Sequence, residues 1–364
     1  MRFQAEVRRA LGLREAGVYY ALLLLILALA VVCAVLARPS YLSAVNLINI
    51  VYQASPVALM GVAMTVVLIT GNFDLSVASV AALAAAVQIG VVDAVGFGPA
   101  LCLALAAAGA VGLLNGVMVQ VVGINAFIVT LGTLTAVRGL VLIVTGGRSL
   151  MVQTPAALAT MTGFESGRAG PFPYPILYMV AFTMLVWLVL HFTTLGRRTY
   201  AVGGNAEAAR LCGIRVNAYR IGAFVLSGLA AGFAGVLYAS RFGAMNPTAL
   251  QGEELTVIAA AILGGTSLFG GAGSVLKTVA GALVLYTLTN GFNVLNLGAN
   301  YQGLIEGTVL IAAAAIYTVG GSRGSSFRRV RADSHVLRAG PTGFARSEPR
   351  PSSGAGTRRG ESSL

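Results

Sequence analysis

The chain has 364 residues, of which 57% are hydrophobic and 10% are charged, and its mean hydropathy is +0.84. A soluble domain needs more polar surface than this composition provides, so most of the chain is expected to contact lipid or other membrane-buried helices. The net charge of +12 does not indicate a nucleic-acid partner, because the basic residues lie at the two termini and in one internal loop rather than on an aromatic-rich soluble face.

Long apolar runs follow one another from residue 19 to residue 319. The runs are continuous rather than alternating, which excludes a β-barrel, and a helix that crosses a bilayer needs about 20 apolar residues. The sequence therefore predicts an all-α, polytopic membrane helical bundle of about ten transmembrane helices. The first run is too long for a signal-peptide core and is interpreted as a retained span. The predicted spans are 19–37, 47–70, 75–94, 96–119, 126–146, 175–194, 219–240, 254–269, 275–293 and 303–319.

The distribution of basic residues predicts the orientation of these spans. With the N-terminal segment 1–18 in the cytoplasm, nineteen Lys and Arg residues fall on the cytoplasmic side and four on the outer side. Cytoplasmic connections carry the excess of basic residues in membrane proteins. Both termini are therefore predicted to be cytoplasmic. The final segment, 320–364, is rich in Gly, Ser, Pro and Arg and is predicted to be a disordered basic tail.

Two stretches of the chain resemble each other in the same order. Residues 74–77 (Asp-Leu-Ser-Val) are echoed by residues 254–257 (Glu-Leu-Thr-Val), and the pair Asn115-Gly116 is echoed by Asn290-Gly291. The matching spans are five apart, an odd number, so the copies run through the membrane in opposite directions. This pattern predicts an inverted repeat, which transporters use to place their pathway between the halves. The predicted halves are residues 47–146 and 221–319.

Few acidic residues lie at membrane depth: Asp74, Glu254 and Glu306. A charge at that depth costs about 2.5–3.5 kcal/mol on insertion scales, so each should line water or have a partner. Asp74 and Ser76 follow a break between two spans. They either line a polar pathway or satisfy free backbone N–H groups where the next helix begins. Glu254 has the same two interpretations.

Other polar residues inside the spans are candidates for the pathway or for helix breaks. Arg138 is the basic residue predicted to lie within a span. Glu306, in the equivalent span of the other repeat half, is its candidate partner. Threonine hydroxyls in membrane helices usually bond their own backbone, so structural roles stay open for the threonines. The remaining candidates for this group are Asn115, Thr130, Thr133, Asn290 and Asn293.

No catalytic or metal-binding pattern is present in the sequence. The two histidines, His191 and His335, are far apart, and no zinc spacing or nucleotide fingerprint occurs. Residues 271–278 superficially resemble a phosphate loop, but Leu276 stands where the glycine before Lys277 is required. We therefore expect no cofactor, no metal and no ATP hydrolysis by this chain.

The internal basic loop, residues 195–218, predicts a short surface helix. Asn205 is suited to cap the helix and Gly213 to end it, while small alanines allow it to lie in a groove of a partner. An ordinary amphipathic loop helix is the alternative interpretation. The candidate docking residues are Gly203, Gly204, Asn205, Glu207, Ala208, Ala209, Arg210 and Gly213.

These motifs together resemble the ribose/xylose-type sugar permeases of ATP-binding-cassette (ABC) importers. The pattern Glu207-Ala-Ala, three residues, then Gly213 matches the core of the signature by which such permeases contact their ATPase. The other matching segments occur in the family's order over most of the membrane domain. They are residues 71–77, 115–116, 127–133, 138–139, 145–147, 203–210, 264–267, 270–271 and 290–291.

The resemblance implies a permease subunit in the bacterial cytoplasmic membrane that forms the pathway for a sugar or similar small polar solute. It also implies three partners in addition to the bilayer: a second permease subunit, a cytoplasmic ABC ATPase that hydrolyses ATP, and an extracytoplasmic sugar-binding protein. An ion-coupled secondary transporter of a polar solute is the alternative, because inverted repeats suit both classes. Such a transporter would more often carry a cluster of ionisable groups at the membrane midplane and no docking loop.

Overall fold

The computed structural model describes residues 13–36, 39–296 and 307–308. Those residues form twelve α-helices and four two-residue strands, and eight of the helices are long and apolar enough to cross a membrane. The helices are α1 (Leu13–Val35), α2 (Ala44–Ile69), α3 (Val77–Val95), α4 (Phe97–Val117), α5 (Ala126–Thr145), α6 (Pro155–Ser166), α7 (Tyr174–Phe192), α8 (Thr194–Gly204), α9 (Ala206–Leu211), α10 (Val216–Phe242), α11 (Glu253–Leu263) and α12 (Val275–Val294). The prediction of an all-α polytopic membrane bundle is confirmed.

Eight of the ten predicted spans correspond to helices that are long and apolar enough to cross a membrane, and the other two are the predicted spans 254–269 and 303–319. The predicted span 254–269 corresponds to α11, which has only 11 residues and is too short to cross a bilayer as a single helix. It ends in the turns of a glycine-rich segment after Leu263. Of the predicted span 303–319 only residues 307–308 are described, and Glu306 and the basic tail 320–364 lie outside the described residues.

The centre of the bundle is formed by α2, α3 and α10, whose spans are mostly buried, whereas α4 and α5 are mostly exposed. The helix α10 packs chiefly against α4 and α3, and α2 packs chiefly against α12 and α10. Alanines of α3 that are fully buried, such as Ala81 and Ala84, allow this close approach. A side chain at Gly235 of α10 would overlap the carbonyl oxygen of Ala81, so these two backbones are in direct contact.

Residues 147–174, which lie between the predicted spans 126–146 and 175–194 and were expected to form only a connection, are folded. The segment contains α6, a hairpin of β2 (Arg168–Ala169) with β3 (Phe172–Pro173), and the strand β1 (Leu150–Met151), which pairs with β4 (Ala244–Met245). The carboxylate of Asp93, in α3, accepts hydrogen bonds from the backbone N–H groups of Gln153 and Thr154. These contacts hold the segment against one end of the bundle.

The opposite end of the bundle carries α8 and α9, which cover the predicted loop 195–218 as far as Leu211. The sequence predicted one short helix there, and the structure has two, joined at Asn205. A π-helical turn, Met118–Val122, ends α4 at the same end of the bundle. This end therefore holds the short helices, the break between α2 and α3, and the turns between α11 and α12.

Candidate functional site

The short helix α9 has the capping that the sequence predicted. The side chain of Asn205 accepts a hydrogen bond of 3.0 Å from the N–H of Ala208. Gly213 adopts a left-handed conformation with φ of 77°, and Ile214 N–H bonds the carbonyl of Ala209 at 3.0 Å, which satisfies the free carbonyls at the end of the helix. The helix is therefore fixed at both ends by its own local sequence.

Most of α9 is directed away from the bundle. Glu207, Ala208 and Arg210 are exposed, whereas Ala209 is buried against Val202 and Val216. Glu207 lies in the first turn and Arg210 in the last, where each charge complements the helix dipole. The result is a rigid, charged helix with one small apolar face anchored and the other faces free for a partner.

The end of α8 packs against two separate helix breaks through glycine backbones. We name this contact the glycine junction, and it is formed by Ile69, Gly71, Gly203, Gly204, Gly270 and Gly271. A side chain at Gly203 would overlap the carbonyl oxygen of Ile69, and that same oxygen accepts a 2.9 Å hydrogen bond from the N–H of Gly271. The end of α2, the end of α8 and the turns before α12 therefore meet at one point.

Tyr200 of α8 strengthens this contact. Its hydroxyl donates a 2.9 Å hydrogen bond to the carbonyl oxygen of Gly273, just before α12. Burial raises the pKa of Tyr200 above its usual value, so the phenol stays protonated and remains a donor at physiological pH. The helix α8 is thus held to the turns before α12 by a side chain as well as by its glycines.

Asp74 is fully buried between α2 and α3, and both of its carboxylate oxygens accept hydrogen bonds. Oδ1 accepts from the N–H of Ser76 at 3.0 Å and from its hydroxyl at 2.6 Å, and Oδ2 accepts from the hydroxyl of Ser227 at 2.7 Å. The bond to the Ser76 N–H closes a turn immediately before α3, and α3 itself has no side-chain capping hydrogen bond. The bond to Ser227 in addition connects the break to α10.

Ser76 does not cap α3, in contrast to one interpretation of the sequence: its side chain makes no capping hydrogen bond. Its hydroxyl instead accepts a 2.9 Å bond from Asn115 Nδ2, and Asn115 Oδ1 accepts a 2.6 Å bond from the hydroxyl of Thr133. We name this series the polar chain. It runs from Ser227 through Asp74, Ser76 and Asn115 to Thr133, and it joins α10, the α2–α3 break, α4 and α5.

The other pathway candidates lie apart from the polar chain. Thr130 bonds the carbonyl of Ala126 within its own helix. Asn290 exchanges amide hydrogen bonds of 3.0 and 2.9 Å with Asn46, which joins α12 to α2. Asn293 is exposed, and Glu254 accepts a local bond from the N–H of Gly252.

Arg138 contacts backbone carbonyls. Its Nη1 atom donates to the carbonyl oxygens of Pro247 at 3.0 Å and Ala249 at 2.8 Å. These carbonyls belong to the connection between β4 and α11. The proposed partner, Glu306, lies outside the described residues, so the predicted pair stays a prediction.

Sequence reasoning did not identify Arg220 and Gln120, which lie at the edge of the glycine junction. Arg220 Nε donates to the carbonyl oxygen of Thr70 at 3.2 Å, and its Nη1 donates to Gln120 Oε1 at 3.3 Å. Arg220 was counted only as a topology signal because it stands at the start of a span. Its position just inside the predicted span 219–240 gave no signal of these contacts.

A buried ion pair at the other end of the bundle was also not identified. Arg241 Nε lies 2.7 Å from Glu165 Oε1, and Glu165 is fully buried. Tyr52 donates its hydroxyl to the same carboxylate, and the guanidinium lies 4.1 Å from the centre of the Tyr52 ring. The pair ties α6 to α2 and α10.

Among the described residues, no group of three or more His, Cys, Asp or Glu side chains could hold a metal ion. The arrangement instead consists of a partner-facing helix, a backbone junction and a buried polar chain. Together with eight helices long and apolar enough to cross a membrane, these features are those of a polytopic membrane permease.

Comparison with known proteins agrees with this class. The family described as "Branched-chain amino acid transport system / permease component" matches residues 46–314. The chain belongs to this family of ABC-importer permeases and is a multi-pass membrane transport subunit. Membership implies an ATPase and a solute-binding protein as partners. No solved structure matches the chain significantly.

Curated relatives cover most of the chain. The ribose import permease protein RbsC of Escherichia coli K12 is 38% identical over 80% of this chain and 92% of its own length. The L-arabinose transport system permease protein AraH of the same strain is 38% identical over 81% of this chain and 88% of its own length. The D-allose transport system permease protein AlsC is 33% identical over 76% and 84%, respectively.

Proposed function

We propose that this chain forms the translocation pathway of an ABC importer for a monosaccharide or a similar small polar solute, and that α8 and α9 receive the movement of the ATPase. The observation that carries the proposal is the glycine junction. The end of α8 contacts the end of α2 and the turns before α12 without intervening side chains. A displacement of α8 must therefore displace both helix breaks. The sugar class is inferred from relatives named for ribose, arabinose and allose.

The inverted repeat is part of the proposal and is supported by reciprocal packing. The first helix of one half, α2, packs against α11 and α12 of the other half, and α10 packs against α3 and α4. This exchange is expected if the halves, residues 47–146 and 221–319, are related by a pseudo-two-fold axis in the membrane plane. The α2–α3 break then corresponds to the segment before α11, and the turns between α11 and α12 correspond to the connection between α3 and α4.

We place α8 and α9 on the cytoplasmic side, with both termini, because the basic residues are concentrated there. The opposite end, with α6 and its hairpin, then faces the sugar-binding protein. A second permease subunit, identical or related, completes the pathway. The mostly exposed helices α4 and α5 offer apolar surface to lipid or to that subunit.

Asp74 favours the importer over an ion-coupled transporter. Its two oxygens accept three hydrogen bonds from neighbouring serines, so the carboxylate is already satisfied by the protein. A site that binds and releases a coupling ion needs ligands that are available to it. In the described part of the bundle, the acids at membrane depth form no such cluster.

The test replaces Glu207 and Gly213 together, for example by Glu207→Ala and Gly213→Val. Glu207 is exposed, and Gly213 requires a positive φ that valine strongly disfavours. We expect loss of co-purification with the ATPase and loss of uptake in reconstituted liposomes, with normal membrane insertion. Arg148→Gln, at the opposite end of the bundle, is the control. Normal ATPase binding by the double variant would contradict the docking role.

A further inference from the structure

Arg220 connects three elements at the end of the bundle that carries α8 and α9. It lies on α10, and its guanidinium reaches the last carbonyl oxygens of α2 through Thr70 and the π-helical turn of α4 through Gln120. Its Nη2 atom is 4.0 Å from the position that a Cβ on Gly71 would occupy, which places it at the edge of the glycine junction. One side chain thus bridges α10, α2 and α4.

The chemistry of the two acceptors suits an arginine. The carbonyl end of α2 carries a partial negative charge from the helix dipole, which a cation stabilises. The planar guanidinium can direct separate N–H groups at two acceptors at once, whereas lysine presents a single ammonium point charge. Gln120 is further held by Asn217, whose Nδ2 donates to its backbone carbonyl at 3.4 Å. Both Asn217 and Arg220 therefore fix the π-helical turn to the start of α10.

The same three elements meet again deeper in the bundle. Ser227, seven residues after Arg220 and so on the same face of α10, contacts Asp74, and the polar chain continues from there to Asn115 of α4. The helix α10 is therefore bonded to the α2–α3 break and to α4 at two successive levels. Arg220 is at the level that borders α8.

We propose that Arg220 is a positioning residue that passes the movement of α8 and α9 to the ends of α2 and α4. The inference rests on the proposed function, because it presupposes that α8 and α9 receive the movement of the ATPase. The segment acts on Arg220 from two directions: through the glycine junction beside it and through residues 212–215, which lead directly into α10. Without the guanidinium, α8 can still dock the ATPase, but α2 and α4 no longer follow α10.

The test uses the complete importer in liposomes, with its ATPase and its binding protein, and measures both solute uptake and ATP hydrolysis. For Arg220→Lys and Arg220→Gln we expect ATPase co-purification and ATP hydrolysis to be retained. Uptake per ATP should fall at least about tenfold for glutamine, because losing one charge-assisted hydrogen bond has about that effect and Arg220 makes two, and it should fall less for lysine. Arg148→Gln, an exposed site at the opposite end of the bundle, removes the same charge and should leave the ratio unchanged.

Gln120→Leu provides the second variant, because it removes the acceptor and leaves Arg220 in place. It should also lower uptake per ATP. The double variant, Arg220→Gln with Gln120→Leu, should be no worse than Arg220→Gln alone, because both substitutions remove the same bond between Arg220 and Gln120. Unchanged uptake per ATP in Arg220→Gln, or additive effects in the double variant, would overturn the inference. If the unmodified chain does not bind the ATPase at all, the proposed function itself fails, which is a different outcome.

Discussion

The carboxylate of Asp74 accepts a 2.7 Å hydrogen bond from the hydroxyl of Ser227, although the two residues are 153 positions apart in the chain. The bond joins the break between α2 and α3 to the middle of α10. Because Asp74 also accepts the N–H and the hydroxyl of Ser76, its role combines the start of a helix with a connection between helices. Replacing Asp74 by asparagine or by alanine distinguishes these two structural roles from direct contact with the solute.

Asp74→Asn should be tolerated, and Asp74→Ala should not. Asparagine keeps an acceptor for Ser76, and its Nδ2 can donate to the Ser227 oxygen, so the free energy of unfolding should fall by less than about 1 kcal/mol. Alanine leaves three buried donor groups without an acceptor and should cost about 3 kcal/mol. Denaturation in detergent and uptake in liposomes measure the two effects. Loss of uptake by a normally stable Asp74→Asn protein would instead favour contact with the solute.

Gly203→Ala should disrupt the glycine junction, and Gly204→Ala provides a matched control. A methyl group at Gly203 would overlap the carbonyl oxygen of Ile69, whereas one at Gly204 meets no atom within 4 Å. The overlap involves backbone and cannot be relieved by a rotamer change, so we expect a loss of about 1–3 kcal/mol of stability and a strong loss of uptake. Equal uptake by both variants would show that α8 need not contact the end of α2.

Glu165→Gln should loosen α6 from the bundle. The substitution removes the charge that faces Arg241, and the guanidinium is only 23% exposed, so breaking the pair should cost about 3 kcal/mol. Hydrogen exchange of the α6 amides should become faster, while exchange in α8 should not change. Glu254→Gln, at a partly exposed carboxylate, is the control for loss of a negative charge. Unchanged protection of α6 would mean that its aromatic contacts, such as Phe164 with Tyr178, suffice.

The features that the sequence predicted well are those that depend on neighbouring residues. Long apolar runs specify spans, and the caps of α9 depend on Asn205 and Gly213 within the same nine residues. The polar chain could be predicted only as a set of candidates. Ser227 lies in an apolar run, and no local pattern distinguishes it from a serine that bonds its own helix.

The folded segment 147–174 was missed for a related reason. Its glycines and prolines indicate turns, and Glu165 reads locally as a solvent-exposed acid. The residues that bury it, Tyr52 and Arg241, come from α2 and α10 and are brought together only by the packing of the bundle. Pairings between distant segments follow from tertiary structure and leave no periodic signal in the sequence.

The native cysteines provide a direct test of orientation. Cys212 is exposed at the end of α9, Cys33 is buried, and Cys102 is exposed but lies within the apolar span of α4, where lipid should shield it from a membrane-impermeant reagent.

In inside-out membrane vesicles, an impermeant maleimide should therefore label Cys212, and the ATPase should protect it. In intact cells, where only the outer face is accessible, no labelling is expected. Cys212→Ser should remove the signal. Labelling of Cys212 from outside intact cells would place α8 and α9 on the outer face, beyond the reach of a cytoplasmic ATPase, and both the orientation and the docking role would then be wrong.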